Sequence, residues 1–184
     1  MGSLPSMFSD FNIKKYKVIK YPSDISLQTL NEIKSLQTQR MDVAYADKYD
    51  DINESFKRLF KNRTREYPEE LVNDVIENSS KVILKIKNYH DRPRPDKLAK
   101  KFGISLLYHK MKSAQTPAFP SGHSAQGRMI ALILGDMFPE MKKELMDVSN
   151  HISKSRIVAR VHYKSDKEVG EKLGEDMYNY LKNA

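Results

Sequence analysis

Three short stretches of the 184-residue chain gather side chains that could act together on one anion. Lys87-Asn-Tyr-His-Asp-Arg-Pro-Arg94-Pro95 sets a lysine seven residues ahead of an arginine–proline pair. Pro120-Ser121-Gly122-His123 follows, and then Ser155-Arg156 leads to His162 and Asp166. Lys87, Arg94 and Arg156 are three cations that could surround a dianion, the two arginines with planar forks matched to phosphate oxygens. The Pro-Ser-Gly-His stretch reads as a helix start. Free backbone N–H groups and the positive dipole end favour an anion there, and glycine lets it approach the backbone closely. Ser121 can cap that helix or donate its hydroxyl to the anion, with His123 held at the rim. His162 and Asp166 are four residues apart, so on a helical turn they face the same way. A carboxylate on one ring nitrogen fixes the tautomer and leaves the other nitrogen free as a nucleophile. The chemistry this allows is a nucleophilic imidazole beside a cationic cradle for a dianion. Lys85 and Arg92-Pro93 satisfy the first pattern as well, two residues upstream, and spacing alone does not choose between the pairs.

The elements that must position these residues are helical. Leu27, Leu30 and Ile33 recur at three-residue steps from Ser26 onward, and Ile52, Phe56, Leu59 and Phe60 follow at helical spacing. Pro68 opens a longer stripe of Leu71, Val72, Val75, Ile76, Val82, Ile83 and Ile86. That helix should stop near Asp91, since Pro93 and Pro95 disfavour helical geometry in the residues before them. A short basic helix is expected at Lys97 to Lys101. Another begins at Ser121, with Met129, Ile130, Ile133, Leu134 and Met137 on its apolar side. Pro139 opens the next, through Leu145, Val148 and Ile152 into the 155–162 region. The last starts near Ser165 and carries Val169, Leu173, Met177, Tyr180 and Leu181. No strand pattern rises above marginal quality, so the expected fold is all-α, a single-domain helical bundle over 1–184. Residues 1–22 have little periodicity and read as an extended arm; the motif-bearing part spans 85–166.

Composition narrows the classes further. The chain is 39% hydrophobic and 30% charged, as an ordinary folded domain is. It has no cysteine, which excludes disulfides, thiolate metal sites and cysteine nucleophiles. The longest apolar stretch, Met129 to Phe138, contains Gly135 and Asp136 and falls short of the roughly 20 residues that span a bilayer. The N-terminus lacks the order of a secretory signal, so the expected location is soluble and cytoplasmic. The formal charge of +8 favours anionic partners. His123, His162 and Asp166 could in principle hold zinc, but three neighbouring cations would repel a divalent metal; the expected metal site is none. His90, inside the first segment, reads as an exposed histidine at a helix end; His109 and His151 have no partner at useful spacing and read as structural.

Together and in this order, the three segments resemble the signature of the type 2 phosphatidic acid phosphatase family, shared with bacterial class A acid phosphatases and vanadium haloperoxidases. The resemblance runs from Lys87 to Asp166, less than half the chain, and leaves the first 80 residues without a motif. It implies the helical bundle of the acid phosphatase/vanadium haloperoxidase type. It also implies roles: His162 as nucleophile, Asp166 as its orienting carboxylate, His123 as general acid, and Lys87, Arg94, Ser121, Gly122 and Arg156 as phosphate ligands. The family's Arg-x-Arg-Pro run favours Lys87 and Arg94 over Lys85 and Arg92. The expected function is soluble, metal-independent hydrolysis of phosphate monoesters through a phosphohistidine. No cofactor is expected, and vanadate should inhibit. The partner is a small phosphorylated substrate, with nucleic acid expected only in the form of a nucleotide; related soluble enzymes often form homo-oligomers. Two other readings share the motifs: a haloperoxidase, in which vanadate would be a cofactor, and a non-catalytic module binding phosphate or nucleic acid.

Overall fold

A computed structural model describes residues 6–184. Its elements are helices α1 (Lys14–Val18), α2 (Leu27–Thr38), α3 (Val43–Lys48), α4 (Ile52–Lys57), α5 (Glu69–His90), α6 (Pro95–Lys101), α7 (Gly122–Met137), α8 (Lys142–Val158) and α9 (Lys164–Lys182), with three short 3₁₀ turns between them. No strand occurs among the described residues. The all-α expectation therefore holds, and the long helices fall within a few residues of the limits their apolar stripes imply.

The centre of the bundle is α7. Most of its residues are buried, and it packs along its length against α8 and α9, with α5 and α4 closing the remaining sides. The α5 stripe of Val72, Val75, Val82, Ile83 and Ile86 is buried against α7 residues Ala125, Met129 and Ile130 and α9 residues Leu173 and Met177. Two glycines bring α9 unusually close to α7. A Cβ on Gly174 would overlap the carbonyl of Ala125, and one on Gly170 would overlap the carbonyl of Ser121. These contacts lock α9 beside the first turns of α7, where the Pro-Ser-Gly-His segment lies.

Helix ends present the motif residues. Ser121 caps α7, its Oγ accepting from the N–H of Ser124 at 3.2 Å. α5 stops at His90 because Asp91 turns left-handed (φ 49°), its N–H bonding the Lys87 carbonyl at 2.8 Å; aspartate tolerates this conformation better than most residues. The α8–α9 corner is sharper. Arg160 is also left-handed (φ 60°), and its guanidinium is tied to the carbonyls of Leu107, Gln37 and Gln39. α8 therefore ends at Val158, inside the 155–162 region, and His162 follows on a short connector.

The structure corrects three expectations. Residues 1–22 are not an extended arm where they are described; residues 1–5 lie outside the described part. Residues 14–18 form α1, and Phe8 and Tyr16 are buried in an aromatic cluster with Phe11 and Tyr180. Aromatic side chains supply enough buried area to fix a segment that has no periodicity. Leu27 and Met137, placed on apolar stripes, are 72% and 45% exposed, since each lies at a helix end beyond the packing of its neighbours. His90 is half-buried rather than exposed. Its Nε2 lies 2.7 Å from the Tyr16 carbonyl and its ring meets Phe119 edge-on.

Candidate active site

The three motif segments converge on one cavity of about 250 Å³. Lys87 and Arg94, Gly122, His123 and His162 line it, together with Ile83, Leu84, Ser113, Thr116 and Gln126. Asp166, Ser121 and Arg156 stand behind this lining and are fully buried. A larger hollow of about 470 Å³ lies on the far side of Arg94 and Thr116, lined also by Lys97, Tyr108 and Lys110. It contains neither motif histidine.

His162 is 1% exposed. Its Nδ1 lies 2.9 Å from Asp166 Oδ2, and its Nε2 lies 2.9 Å from Arg94 Nη1. A guanidinium can only donate, so Nε2 offers its lone pair and Nδ1 carries the hydrogen given to the carboxylate. That is the tautomer an attacking Nε2 would require. Burial, reinforced by Arg94, Lys87 and Arg156, holds the imidazole well below its ordinary pKa, so it is neutral. The four-residue spacing is realised differently from a shared helical face. His162 precedes α9, and Asp166 in the first turn of α9 reaches back to accept from the Tyr163 N–H at 3.0 Å as well.

The two Lys–Arg pairs lie in different places, Lys87 and Arg94 in the cavity wall and Lys85 and Arg92 outside it. Lys85 is exposed on the outside of α5, whereas Lys87 turns inward. Arg92 lies behind the dyad: Nη1 donates to Asp166 Oδ1 at 2.6 Å and to Ser165 Oγ at 2.8 Å. Its guanidinium stacks 3.7 Å from the Tyr163 ring centre and 4.9 Å from that of Tyr21. Glu32 on α2 completes the cluster, accepting from the Ser165 N–H and hydroxyl and lying 3.6 Å from Arg92. Burial still pushes Asp166 up to about 6, against the opposing pull of Arg92.

The other cations crowd each other. Lys87 Nζ donates to the Pro117 carbonyl at 2.8 Å and to Thr116 Oγ1 at 3.2 Å; Arg94 Nε donates to the Thr116 carbonyl at 2.8 Å. Burial and then the nearby Arg94 lower Lys87 to about 7, and burial with Arg156 lowers Arg94 to about 10. Groups so held gain from any anion placed among them. Arg94 also points at the one nitrogen of His162 that a metal would need, which argues against the zinc arrangement of His123, His162 and Asp166.

The sequence reading missed Asp50, Ser113, Thr116 and Glu32. Arg156 Nη1 donates to Asp50 Oδ1 at 2.8 Å and Nη2 to Ser113 Oγ at 3.1 Å. His123 Nε2 lies 2.7 Å from the Asp50 carbonyl. Asp50 and Glu32 lie in the N-terminal part, which carries no motif, and one aspartate among 24 acidic residues gives no signal of its own. His109 and His151 pair with Asp47 and Tyr45 away from the cavity.

A helical bundle with paired basic, Ser-Gly-His and Arg/His/Asp segments around one anion-sized cavity defines a class. The chain belongs to the PAP2 superfamily, whose profile matches residues 74–175. Among curated proteins it is 35% identical over 90 residues to a non-specific acid phosphatase of Salmonella typhimurium (strain LT2), covering 48% of this chain and 35% of that one. It is 33% identical over 57 residues to a non-specific acid phosphatase of Salmonella typhi, covering 31% and 23%. The matched stretches thus span about a third or less of those curated relatives. The fold is similar to that of a transmembrane PAP2-type phosphatidylglycerolphosphate phosphatase from Bacillus subtilis, with a TM-score of 0.59, 19% identity, and coverage of 98% and 96%. No helix among the described residues of the present chain is long and apolar enough to cross a membrane.

Proposed function

We propose that this chain is a metal-independent phosphatase that hydrolyses small phosphate monoesters through a phosphohistidine at His162. One observation carries the reading: His162 is neutral and buried, with Nδ1 committed to Asp166 and Nε2 presented among cations.

A phosphate dianion in the cradle would take its hydrogen bonds from Lys87, Arg94, the N-terminal N–H groups of α7 at Gly122, and Arg156. The Ser121 hydroxyl proton is free for the phosphate while its oxygen caps the helix. Nε2 of His162 then forms the N–P bond as the P–O bond to the alcohol breaks. Asp166 stabilises the positive charge this places on the imidazole. The leaving oxygen takes a proton from His123. Burial and Arg156 lower His123 to about 4, so at neutral pH it gains its proton as the dianion arrives beside it. In the second step water attacks phosphorus, His123 takes the proton back, and Nε2 leaves with its lone pair. Most of the acceleration comes from fixed positive groups facing charge on the equatorial oxygens. Ile83 and Leu84 give the cavity an apolar wall on the α5 side, where a leaving group can rest.

Hydrolysis of p-nitrophenyl phosphate in the presence of EDTA tests this. Wild type should release phosphate and His162→Ala should not. Activity that needs a divalent metal, or that survives the substitution, overturns the mechanism. Vanadate should inhibit competitively, since it occupies the same cradle; bromide oxidation by peroxide with vanadate present would favour the haloperoxidase reading instead.

A further inference from the structure

The N-terminal part of the chain carries no motif, yet it sends one residue into the site. Asp50 stands in the turn between α3 and α4. Asp51, the next residue, caps α4 by accepting from the Glu54 N–H at 2.9 Å, and Asp50's own N–H bonds the Asp47 carbonyl at 3.3 Å. The backbone at this position is therefore fixed from both sides. The Asp50 carbonyl faces His123 Nε2 at 2.7 Å, and its carboxylate lies 3.5 Å from the same nitrogen. Oδ1 also accepts from Arg156 Nη1 at 2.8 Å and from Ser113 Oγ at 2.6 Å. With Ser113, Asp50 covers the guanidinium of an arginine that is otherwise wholly buried.

We propose that Asp50 is a positioning residue with two effects: it fixes and charges His123 so that the proton is delivered from Nδ1, and it restrains Arg156 until a phosphate takes its place. The proposal rests on the phosphatase reading. A carbonyl only accepts, so Nε2 of His123 carries a hydrogen in both protonation states. The nitrogen left to serve the substrate is Nδ1. His162 is the mirror case, with Nδ1 tied to Asp166 and Nε2 left to react. The Asp50 carboxylate adds negative charge beside His123 and opposes both burial and Arg156, which discourage its protonation. His123 in turn, with Ser113 and Arg156, holds the carboxylate well below its usual range, so it is ionised throughout the working pH. The same charge competes with an incoming dianion for Arg156.

Asp50→Asn keeps the backbone carbonyl and the shape but removes the charge, and its two effects run in opposite directions. Hydrolysis of an alkyl phosphate, whose leaving oxygen needs a proton, should lose about 10-fold or more in kcat. Hydrolysis of p-nitrophenyl phosphate, whose leaving group needs none, should change by less than about 3-fold. Inorganic phosphate, titrated by calorimetry, should bind on the order of 10-fold more tightly. Asp50→Ala should repeat the pattern. A residue that only supports the fold would slow both esters together and weaken phosphate binding. That result, or no change in any of the three, overturns the proposal; an alkyl-specific loss without tighter binding overturns the restraint on Arg156. If wild type cleaves neither ester, the phosphatase reading fails, while the phosphate affinities of wild type and Asp50→Asn still decide the restraint.

Discussion

Binding an anion should draw protons from solution, and at pH 8 Lys87 accounts for the largest share. Lys87 is 6% exposed, and its ammonium is lowered to about 7 by burial and by Arg94. At pH 8 roughly nine in ten Lys87 side chains are then neutral before an anion binds. A dianion about 4 Å away attracts the ammonium by several kcal/mol even at an effective dielectric near 20. Each unit of pKa takes only about 1.4 kcal/mol, so the bound state should be fully charged. Sulfate is the suitable ligand because its own charge is constant in this range. Titrating it at pH 8 in buffers of different ionisation enthalpy should show proton uptake in which Lys87 accounts for about 0.9 proton per site, a share that falls as pH drops through 7 and Lys87 is already charged. Lys87→Arg, charged at every working pH, should lose that share and keep only the smaller uptake of His123. Zero uptake by wild type, or equal uptake by the arginine variant, would show that Lys87 is not the strained cation of the cradle.

Other outcomes follow from the same geometry. Arg92→Met leaves Asp166 and Glu32 without their buried counter-charge and should cost about 3–5 kcal/mol in urea unfolding. The ordinary surface lysine Lys85, changed to Met, should alter neither stability nor activity measurably. Gly174→Ala must push α9 off the Ala125 carbonyl and should cost about 1–3 kcal/mol. Gly170→Ala presses on Ser121 and should lower phosphate affinity as well, read by calorimetry. Asp166 must be ionised to anchor Nδ1–H of His162. Since burial pushes it up to about 6, kcat/KM should fall as pH drops through that value. His123→Ala should cost poor leaving groups about 100-fold or more and p-nitrophenyl phosphate much less.

How far the sequence reveals such a site depends on how each residue is held. Segments fixed by local chemistry are legible: the apolar stripe of α5, the proline-bounded helix starts and the Ser121 cap are each written within a few residues. The spacing of His162 and Asp166 also survives, even though a connector and a first helical turn produce it rather than one helical face. Residues held only by tertiary contact are not legible. Asp50, in the turn before α4, and Glu32, on α2, reach the site from more than a hundred residues before their partners Arg156 and Ser165. The six residues of α3 are too few for a periodic signal, and Phe8 and Tyr16 are buried by aromatic contacts that only the folded chain brings together. Gly170 and Gly174 read as weak points of a helix, and only the close crossing with α7 explains them. Arg92 satisfies the motif pattern as well as Arg94 does; its place behind Asp166 separates the two.

The central claim is covalent, and trapping the intermediate tests it most directly. Wild type mixed with a rapidly reacting phosphate monoester and quenched in alkali within milliseconds should carry one phosphoryl group. It should be stable to base, labile to acid, and located by peptide mass spectrometry on His162. His162→Ala should carry none, and His123→Ala should accumulate more when the ester has an activated aryl leaving group. Turnover without any labelled histidine under these conditions, or a label on another residue, would contradict the assignment of His162 as the nucleophile.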